Sequence, residues 1–445
     1  MTNRDINKFG TSRRVFKGNG VAIFSDGIEV KTRITLTQLV DTQLIFIADV
    51  RRPIWDFLAN IPPVIEFKGK LIDGRSVSVQ GLVIKECRQV SQYRTRLIGY
   101  SGQWIIGEPD FKEATLICFE LVNFLFLGTE KEVFIEGDNQ RSSLSLMALK
   151  LGNKEIKLRR VVDYDQTEAS LRAQHGLQVT CTAITTIEDS TELDTVVSTI
   201  DTLCDVMTVA RGTLVNWISF DAINLESGLP YSRYRNSVTR DFSEIDLIHY
   251  TDPQNTKSFL EKGFSRCQEI EPDFQITRIA RAFTETRGGS FIESRSLLIG
   301  VLVEYITSVK ARLDDCTYIL NQETFESQWD SLKVNVKTIL KLTYPQIAGK
   351  YLSVMLSNIR GLNRLPFSWK LNYLAKWLDI KFEPGEIEKF IVTRNKLAHE
   401  GRFPETGSPS EHYLRMQWFI DRLMLRLFDY HGPYYDFEHR EIRQI

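Results

Sequence analysis

The sequence predicts an α+β protein with an antiparallel β-rich front, a mixed middle region and an all-α C-terminal bundle. Two observations predict this class. Apolar residues alternate with polar ones through the first third of the chain, and from about residue 256 they recur at helical spacing. With 445 residues the chain is also too long for one ordinary domain. We therefore expect a β domain over residues 1–160, a mixed α/β region over 161–255 and a helical domain over 256–445, with its core at about 290–445.

Two Asp-Gly dipeptides indicate hairpin turns in the first third. Asp26-Gly27 precedes one alternating segment, and Asp73-Gly74 precedes another that contains Val77. The dipeptide supplies the positive φ angles that tight hairpins need. Further strands are predicted at 43–48, 116–127, 133–135, 177–187 and 214–223, with a helix at 193–210 and a loop at 224–236.

Seven segments of the last part carry apolar residues three and four positions apart, the spacing of an amphipathic helix. They are 274–286, 291–313, 323–340, 347–360, 369–378, 386–399 and 409–428. The last one follows Ser408-Pro-Ser-Glu411, a capping box with proline at the first helical position. These segments predict the helical bundle.

Composition and charge exclude several classes of protein. A content of 42% hydrophobic and 25% charged residues is typical of a soluble globular chain. The net charge of −1 means that a nucleic-acid site would need a local basic surface. We expect neither a signal peptide nor a membrane span, because no apolar segment has the required length and position.

Residue types that commonly bind metals or cofactors do not occur at the spacing of a known binding motif in this sequence. The six cysteines have no CxxC pair and are expected to be reduced thiols of a cytoplasmic protein. There is no HExxH motif, no Asp/His ligand cluster and no P-loop. We therefore expect no metal and no cofactor.

Segment 386–399 carries an arginine on its apolar side. On a helical wheel at about 100° per residue, Arg394 falls near the middle of that side. The apolar side comprises Ile387, Phe390, Ile391, Leu397 and Ala398. The opposite, solvated side comprises Glu386, Lys389, Thr393 and Lys396. Burying an arginine is costly unless it is paired or faces water. Arg394 therefore indicates either a wet cleft or an ion pair with a bundle carboxylate such as Glu304.

His399 also has two interpretations. It follows Asn395 by one helical turn, but a histidine just before a terminating Gly401 often only complements the helix dipole. The spacing itself is weak, because Arg426 and His431 repeat it. Two features separate the first copy from the second: its arginine lies on an apolar helix face, and an asparagine follows it directly.

Arg394-Asn-Lys-Leu-Ala-His399-Glu-Gly401 resembles the Arg-Asn-x3-His signature of the HEPN superfamily, which lies at the end of a penultimate helix. The surroundings are similar too: helices precede the motif, and a short loop and one long helix follow it. A β-rich front with a C-terminal HEPN module is similar to Apea-like proteins of prokaryotic phage defence. The motif match covers about eight positions, and the similar architecture covers about 290–445.

The resemblance implies a helical homodimer and a metal-independent endoribonuclease. His399 would act as general base or acid near neutral pH. Arg394 would stabilise the charge of the transition state, and Asn395 would orient the phosphate or the imidazole. Attack by the ribose 2′-hydroxyl restricts the reaction to RNA and leaves a cyclic phosphate. On one straight helix Arg394 and His399 point about 140° apart, which favours a site shared by two subunits.

A row of arginines follows in the last predicted helix. Arg415, Arg422 and Arg426 lie beside its apolar stripe at positions i, i+7 and i+11. Such a row is a candidate RNA-binding surface. The alternative interpretation is an ordinary solvated helix edge.

Two hypotheses about function follow from the motif and the resemblance. The first is an RNA-cleaving effector of anti-phage or abortive-infection defence, controlled by its β-rich front and triggered by a phage or host protein. The alternative is a non-catalytic HEPN scaffold that binds RNA, a nucleotide or a protein partner. The presence of Arg394, Asn395 and His399 together favours the enzyme.

Overall fold

The chain divides into two compact units in this computed structural model. The structure describes residues 12–24, 27, 29–39, 43–51, 64–109, 111, 114–136, 139–161, 164–174, 178–223, 231–237, 246–249, 251–288, 291–346 and 349–445. The first unit comprises Met1–Gln268, Arg287–Gly289 and Gly432–Tyr435. The second comprises Glu269–Thr286, Ser290–His431 and Asp436–Ile445.

The first unit contains one antiparallel sheet of fifteen described strands. They are β1 (Ser12–Phe24), β2 (Glu29–Leu39), β3 (Leu44–Val50), β4 (Val64–Leu71), β5 (Ser76–Gln80), β6 (Val83–Ser91), β7 (Arg94–Tyr100), β8 (Gln103–Ile106), β9 (Thr115–Val122), β10 (Glu130–Glu136), β11 (Asn139–Leu151), β12 (Lys154–Arg160), β13 (Val179–Ile187), β14 (Asn216–Ile223) and β15 (Tyr231–Arg235). Their order across the sheet is β10-β11-β12-β13-β9-β14-β15-β8-β5-β4-β1-β2-β3-β7-β6. Helices α1 (Tyr164–Gln174) and α2 (Leu193–Arg211) also lie in this unit.

The predicted alternation places one side of these strands in a core. Phe67, Val79 and Trp104 are fully buried in one apolar cluster of the first unit, while their neighbours along each strand point to the other side of the sheet. The turn at Asp73-Gly74 joins β4 to β5, and Gly74 has the positive φ of 92° that the dipeptide predicts.

Helices make up most of the second unit. The described helices from residue 253 onward are α3 (Pro253–Phe274), α4 (Ile276–Glu285), α5 (Ile292–Leu313), α6 (Gln322–Thr343), α7 (Gly349–Gly361), α8 (Phe367–Trp377), α9 (Glu386–Glu400) and α10 (Pro409–Leu427). Residues 253–268 of α3 belong to the first unit. Helix α5 is in contact with α4, α8, α9 and α10. The motif helix α9 packs against α5, α8 and α10.

An α+β protein with a large antiparallel sheet and a mainly helical C-terminal part is confirmed. Several details differ from the prediction. The segment predicted as a loop contains β15, which pairs with β14 and β8, and the expected all-α end carries the short strands β16 (Pro433–Asp436) and β17 (Glu441–Gln444). Helix α3 begins at Pro253, three residues before the predicted start of the helical domain, and proline is well tolerated at a first helical position.

The mixed region expected at 161–255 does not stand apart in the structure. Its strands β13, β14 and β15 lie within the same sheet as the strands of residues 12–160, and β9 pairs with both β13 and β14. The mixture of predicted strands and a helix at 161–255 reflected only the local sequence pattern. Sheet membership depends on pairing with strands far away in the chain.

Candidate active site

The motif helix α9 has a defined start and end. Gly385 precedes it with a φ of 86°, and Gly401 follows it with a φ of 69°, where the Gly401 N–H donates to the carbonyl of Leu397. A left-handed residue of this kind ends a helix by satisfying a carbonyl of its last turn, and glycine adopts it without strain. The motif therefore occupies the last two turns of a helix whose end the sequence specifies.

The buried side of α9 is rotated from the predicted one. Ile387, Phe390, Thr393 and Leu397 are the buried residues of the helix. Thr393 was expected on the solvated side, but it is 3% exposed and its hydroxyl donates to the carbonyl of Lys389 at 2.9 Å. Ala398, expected on the apolar side, is exposed. A threonine can be buried because it satisfies its own hydroxyl within the helix.

Arg394 consequently lies at the edge of the buried side. Its Nη2 donates to Glu304 of α5, and its Nη1 donates to Asn395 Oδ1 at 3.0 Å. Its guanidinium carbon lies 5.5 Å from the centre of the Phe367 ring. The side chain is 21% exposed and that of Glu304 is 45% exposed. The pair with Glu304, one of the two alternatives for this arginine, is therefore present.

Gly300 supplies the space that Arg394 occupies on α5. A Cβ at position 300 would lie 2.7 Å from Arg394 Cγ, closer than real Cβ contacts come. Glu304 follows Gly300 by one helical turn, so the glycine accommodates the stem of the arginine and the glutamate binds its head. Glu304 was a predicted partner of Arg394, whereas the contacts of Gly300 and Phe367 with Arg394 were not predicted from the sequence. A lone glycine inside an apolar helix was the available signal for Gly300.

The ion pair does not use all of the hydrogen-bonding capacity of Arg394. A guanidinium has five N–H donors, and the two side-chain partners leave donors for a further acceptor. A pair of this exposure contributes on the order of 1 kcal/mol or less. A phosphate group can therefore approach Arg394 without breaking a strong internal interaction.

His399 and Asn395 lie on the exposed surface of α9. Both residues are exposed, as is Val392, and helical spacing places the three on one side. No described residue forms a hydrogen bond with the ring of His399. A hydrogen bond from Arg402 lowers the pKa of the neighbouring Glu400 carboxyl. The structure thus brings Arg394 and Asn395 together and leaves His399 available at the helix end.

The three arginines of α10 have partners within the protein. Arg415 lies 3.5 Å from Glu438, and Arg422 lies 3.7 Å from Glu386 and above the ring of Trp418. Burial raises the pKa of Glu386, an effect that the nearby Arg422 opposes. Arg422, with its side chain 13% exposed, differs from the solvated edge of the alternative interpretation, whereas Arg415, with its side chain 36% exposed, is compatible with it.

Arg426 is the most buried of the three. It is 9% exposed, its Nε donates to the carbonyl of Leu378 at 2.7 Å, and it contacts Asp379 and His431. The second copy of the Arg-x4-His spacing is therefore a structural contact at the end of α10. For Arg426 in particular, binding an RNA phosphate would mean giving up buried hydrogen bonds.

Within the described residues, no group of three or more His, Cys, Asp or Glu side chains is arranged to hold a metal ion. None of the described helices has the length and hydrophobicity needed to cross a membrane.

Comparison of the chain with family models, curated proteins and solved structures finds no match.

Proposed function

We propose that this chain is a metal-independent endoribonuclease whose site consists of Arg394, Asn395 and His399. One observation carries the proposal. A partly exposed arginine is oriented on a helix by Glu304 and Asn395, and an exposed histidine without a described partner follows it on the same helix. The resemblance of this motif to the HEPN signature supports the same chemistry.

The reaction follows from the residue types. One imidazole removes the proton from the ribose 2′-hydroxyl, whose oxygen then attacks the adjacent phosphorus. The bond from phosphorus to the 5′-oxygen breaks, and the leaving oxygen takes up a proton from an imidazolium. Arg394 donates hydrogen bonds to the phosphoryl oxygens as negative charge increases on them. The products are a 2′,3′-cyclic phosphate and a 5′-hydroxyl.

We further propose that two chains form the site together. Arg394 and His399 diverge by about 140° around one helix, so a single α9 does not direct both at one phosphate. Exposed apolar side chains accompany the motif: Val392 on α9 is 54% exposed, and Leu297 and Val301 on α5 are 38% and 53% exposed. In a two-fold dimer such a patch meets its own copy, which brings two motif helices together.

The experiment is an RNA-cleavage assay. Purified protein is incubated with total tRNA and labelled RNAs beside the Arg394→Ala and His399→Ala variants. We expect the wild type to cleave and each variant to lose activity by at least about a hundredfold, the effect of removing a general base or a charge-stabilising group. His431→Ala is the matched control, because this second histidine is also exposed and follows an arginine at the same spacing. Full activity in either motif variant contradicts the site.

The non-catalytic scaffold is the second candidate. The observation that favours it is that Glu304 already binds Arg394 and neutralises its charge. In that case no RNA is cleaved by the wild type, and Arg394→Ala changes binding of RNA, a nucleotide or a protein partner instead. The same assay with an added measurement of RNA binding distinguishes the two.

The proposed biological role is a cytoplasmic effector of anti-phage defence, released by a phage or host trigger. It rests on the resemblance to Apea-like proteins. Cells that express the wild type should form fewer phage plaques than cells that express His399→Ala at the same level. Equal plaque numbers across a broad set of phages contradict the role in defence without bearing on cleavage.

A further inference from the structure

One side of the N-terminal sheet carries a dense group of cations, here called the basic face. It comprises Lys17, Lys31, Arg33, Arg51, Lys68, Lys70, Arg94 and Arg96. These residues alternate along their strands with core residues such as Ile34 on β2 and Phe67 on β4. The cations therefore project from the side opposite that core.

Strand register aligns the cations in rows across the sheet. Lys70 lies opposite Asn19, which lies opposite Arg33. Arg33 lies opposite Asp49, which lies opposite Arg96. In the next row Lys68, Val21 and Lys31 follow one another. Cations two positions apart on one strand are about 6.6 Å apart, and neighbouring strands are about 4.8 Å apart.

Most of this positive charge is uncompensated by the described residues. Asp49 pairs with Arg96 at 2.7 Å, and Glu66 pairs with Lys68 at 2.9 Å. Within the described part of the chain, no carboxylate pairs with any of the other six cations of the basic face. All six are exposed: Lys17, Lys31, Arg33, Arg51, Lys70 and Arg94.

The basic face is indented. A cleft of about 630 Å³ is lined by Lys31, Arg33, Lys68, Lys70 and Arg94 among others. A second cleft of about 460 Å³ shares Asn19, Arg33 and Asp49 with it, so the two adjoin. Cations two positions apart on one strand, such as Lys31 and Arg33 on β2, repel each other. A bound polyanion would relieve that repulsion.

We propose that the basic face binds the phosphate backbone of single-stranded RNA. A basic groove that follows the backbone is a general feature of proteins that bind single-stranded nucleic acids, and regularly spaced cations suit a regularly charged strand. The chain as a whole has a net charge of −1, so this concentration of charge is local. The choice of RNA rests on the proposed function, and the basic face supplies the local basic surface that a nucleic-acid site requires.

The test measures binding of a labelled single-stranded RNA of 20 nucleotides by fluorescence anisotropy over a range of salt concentrations. The full-length chain carries His399→Ala in every sample, so that no RNA is cleaved. The test variant adds Lys31→Glu, Arg33→Glu and Lys70→Glu. The matched control instead adds Lys131→Glu, Lys150→Glu and Lys157→Glu, exposed lysines at the far end of the same sheet on β10, β11 and β12.

We expect the test variant to bind at least about tenfold more weakly than the control at low salt. The slope of log affinity against log salt should decrease in magnitude by about 2, since each phosphate contact in a single strand contributes about 0.7. A neutral variant (Lys31→Gln, Arg33→Gln and Lys70→Gln) should lose affinity in the same direction. Circular dichroism shows whether each variant is folded. If the charge-reversed variant does not fold, the neutral variant still tests the proposal.

Three results overturn the proposal: equal affinities for test and control variants, an unchanged salt slope, or binding to phosphatidylserine vesicles without binding to RNA. Because binding is measured on chains without His399, this outcome is separate from that of the cleavage assay. An active nuclease that fails this test loses only the basic face as its RNA-binding surface. If the wild type cleaves no RNA in the cleavage assay but the binding test gives the expected loss of affinity, the basic face is supported and the proposed chemistry is contradicted.

Discussion

Gly300 of α5 and Arg394 of α9 are in direct contact, and the absence of a side chain at position 300 is what permits that contact. A Cβ there would lie 2.7 Å from Arg394 Cγ. The glycine costs α5 about 0.5–1 kcal/mol relative to alanine. Arg394 is therefore held next to Glu304 at a local cost to helix stability. This relationship leads to the first prediction.

Gly300→Ala should lower RNA cleavage by about tenfold or more while leaving the free energy of unfolding within about 1 kcal/mol of wild type. The methyl group displaces a flexible side chain, so the fold adapts but the guanidinium moves. Gly361→Ala is the matched control, because nothing lies within 4 Å of a Cβ at that helical position. The assays are single-turnover cleavage and denaturant unfolding. Unchanged cleavage with Gly300→Ala would show that the position of Arg394 is unimportant.

Arg426→Ala should destabilise the protein by about 1–3 kcal/mol, since it removes the hydrogen bond to the Leu378 carbonyl from a buried site. Arg415→Ala should cost less than about 1 kcal/mol, because Arg415 is more exposed and has one contact at 3.5 Å. Urea unfolding of both variants measures the difference. If the two arginines proved equally dispensable for stability but Arg426→Ala abolished RNA binding, the RNA-binding interpretation of this row would be restored.

Mixing Arg394→Ala and His399→Ala chains should restore about a quarter of wild-type cleavage. Random reassortment makes half of the dimers heterodimers, and each of these has one intact and one doubly damaged site if the two residues come from different chains. Neither variant alone should be active. No recovery after mixing means that each chain builds its own site, and a protein that remains monomeric at micromolar concentration while cutting RNA excludes the shared site.

Cleavage should continue in EDTA and should produce 2′,3′-cyclic phosphate ends, because transfer of protons by His399 needs no metal ion. Mass spectrometry of the products identifies the ends. The matched sample contains added magnesium and should give the same products at a similar rate. Products with 5′-phosphates that appear only with magnesium would contradict the mechanism.

Asp314, at the end of α5, should give the second unit a pH-dependent stability. Hydrogen bonds from Lys310 and then Tyr373 lower the pKa of its carboxyl below the ordinary 3.8. A lowered pKa stabilises the fold at pH values above the ordinary value, and this contribution is lost as the pH falls through the lowered one. Asp314→Asn should therefore be less stable than wild type at neutral pH, with a difference that stays constant down to about pH 3.8 and then shrinks as the pH falls through the lowered pKa. Thermal unfolding across this range provides the measurement. A difference that grows on acidification contradicts the assigned hydrogen bonds.

The bounds of the motif helix were predictable from local signals. The predicted segment 386–399 and the observed Glu386–Glu400 agree, because glycines flank a strong helical period. The capping box at Ser408 and Glu411 is also formed as predicted. The buried side of α9 was less predictable. A wheel assigns sides by hydrophobicity, and it cannot anticipate that Thr393 satisfies its own hydroxyl and packs inward.

By itself, the sequence determined the α+β class, the β-turn at Asp73-Gly74 and the helix that carries Arg394, Asn395 and His399. These features depend on hydrogen bonds and apolar periods within a few residues of the chain. Only the tertiary structure decided that Arg394 pairs with Glu304, 90 positions earlier. It also decided that Arg426 is buried and that cations from several strands share one side of a sheet. Those outcomes depend on which elements pack together, and packing is set by the whole folded chain.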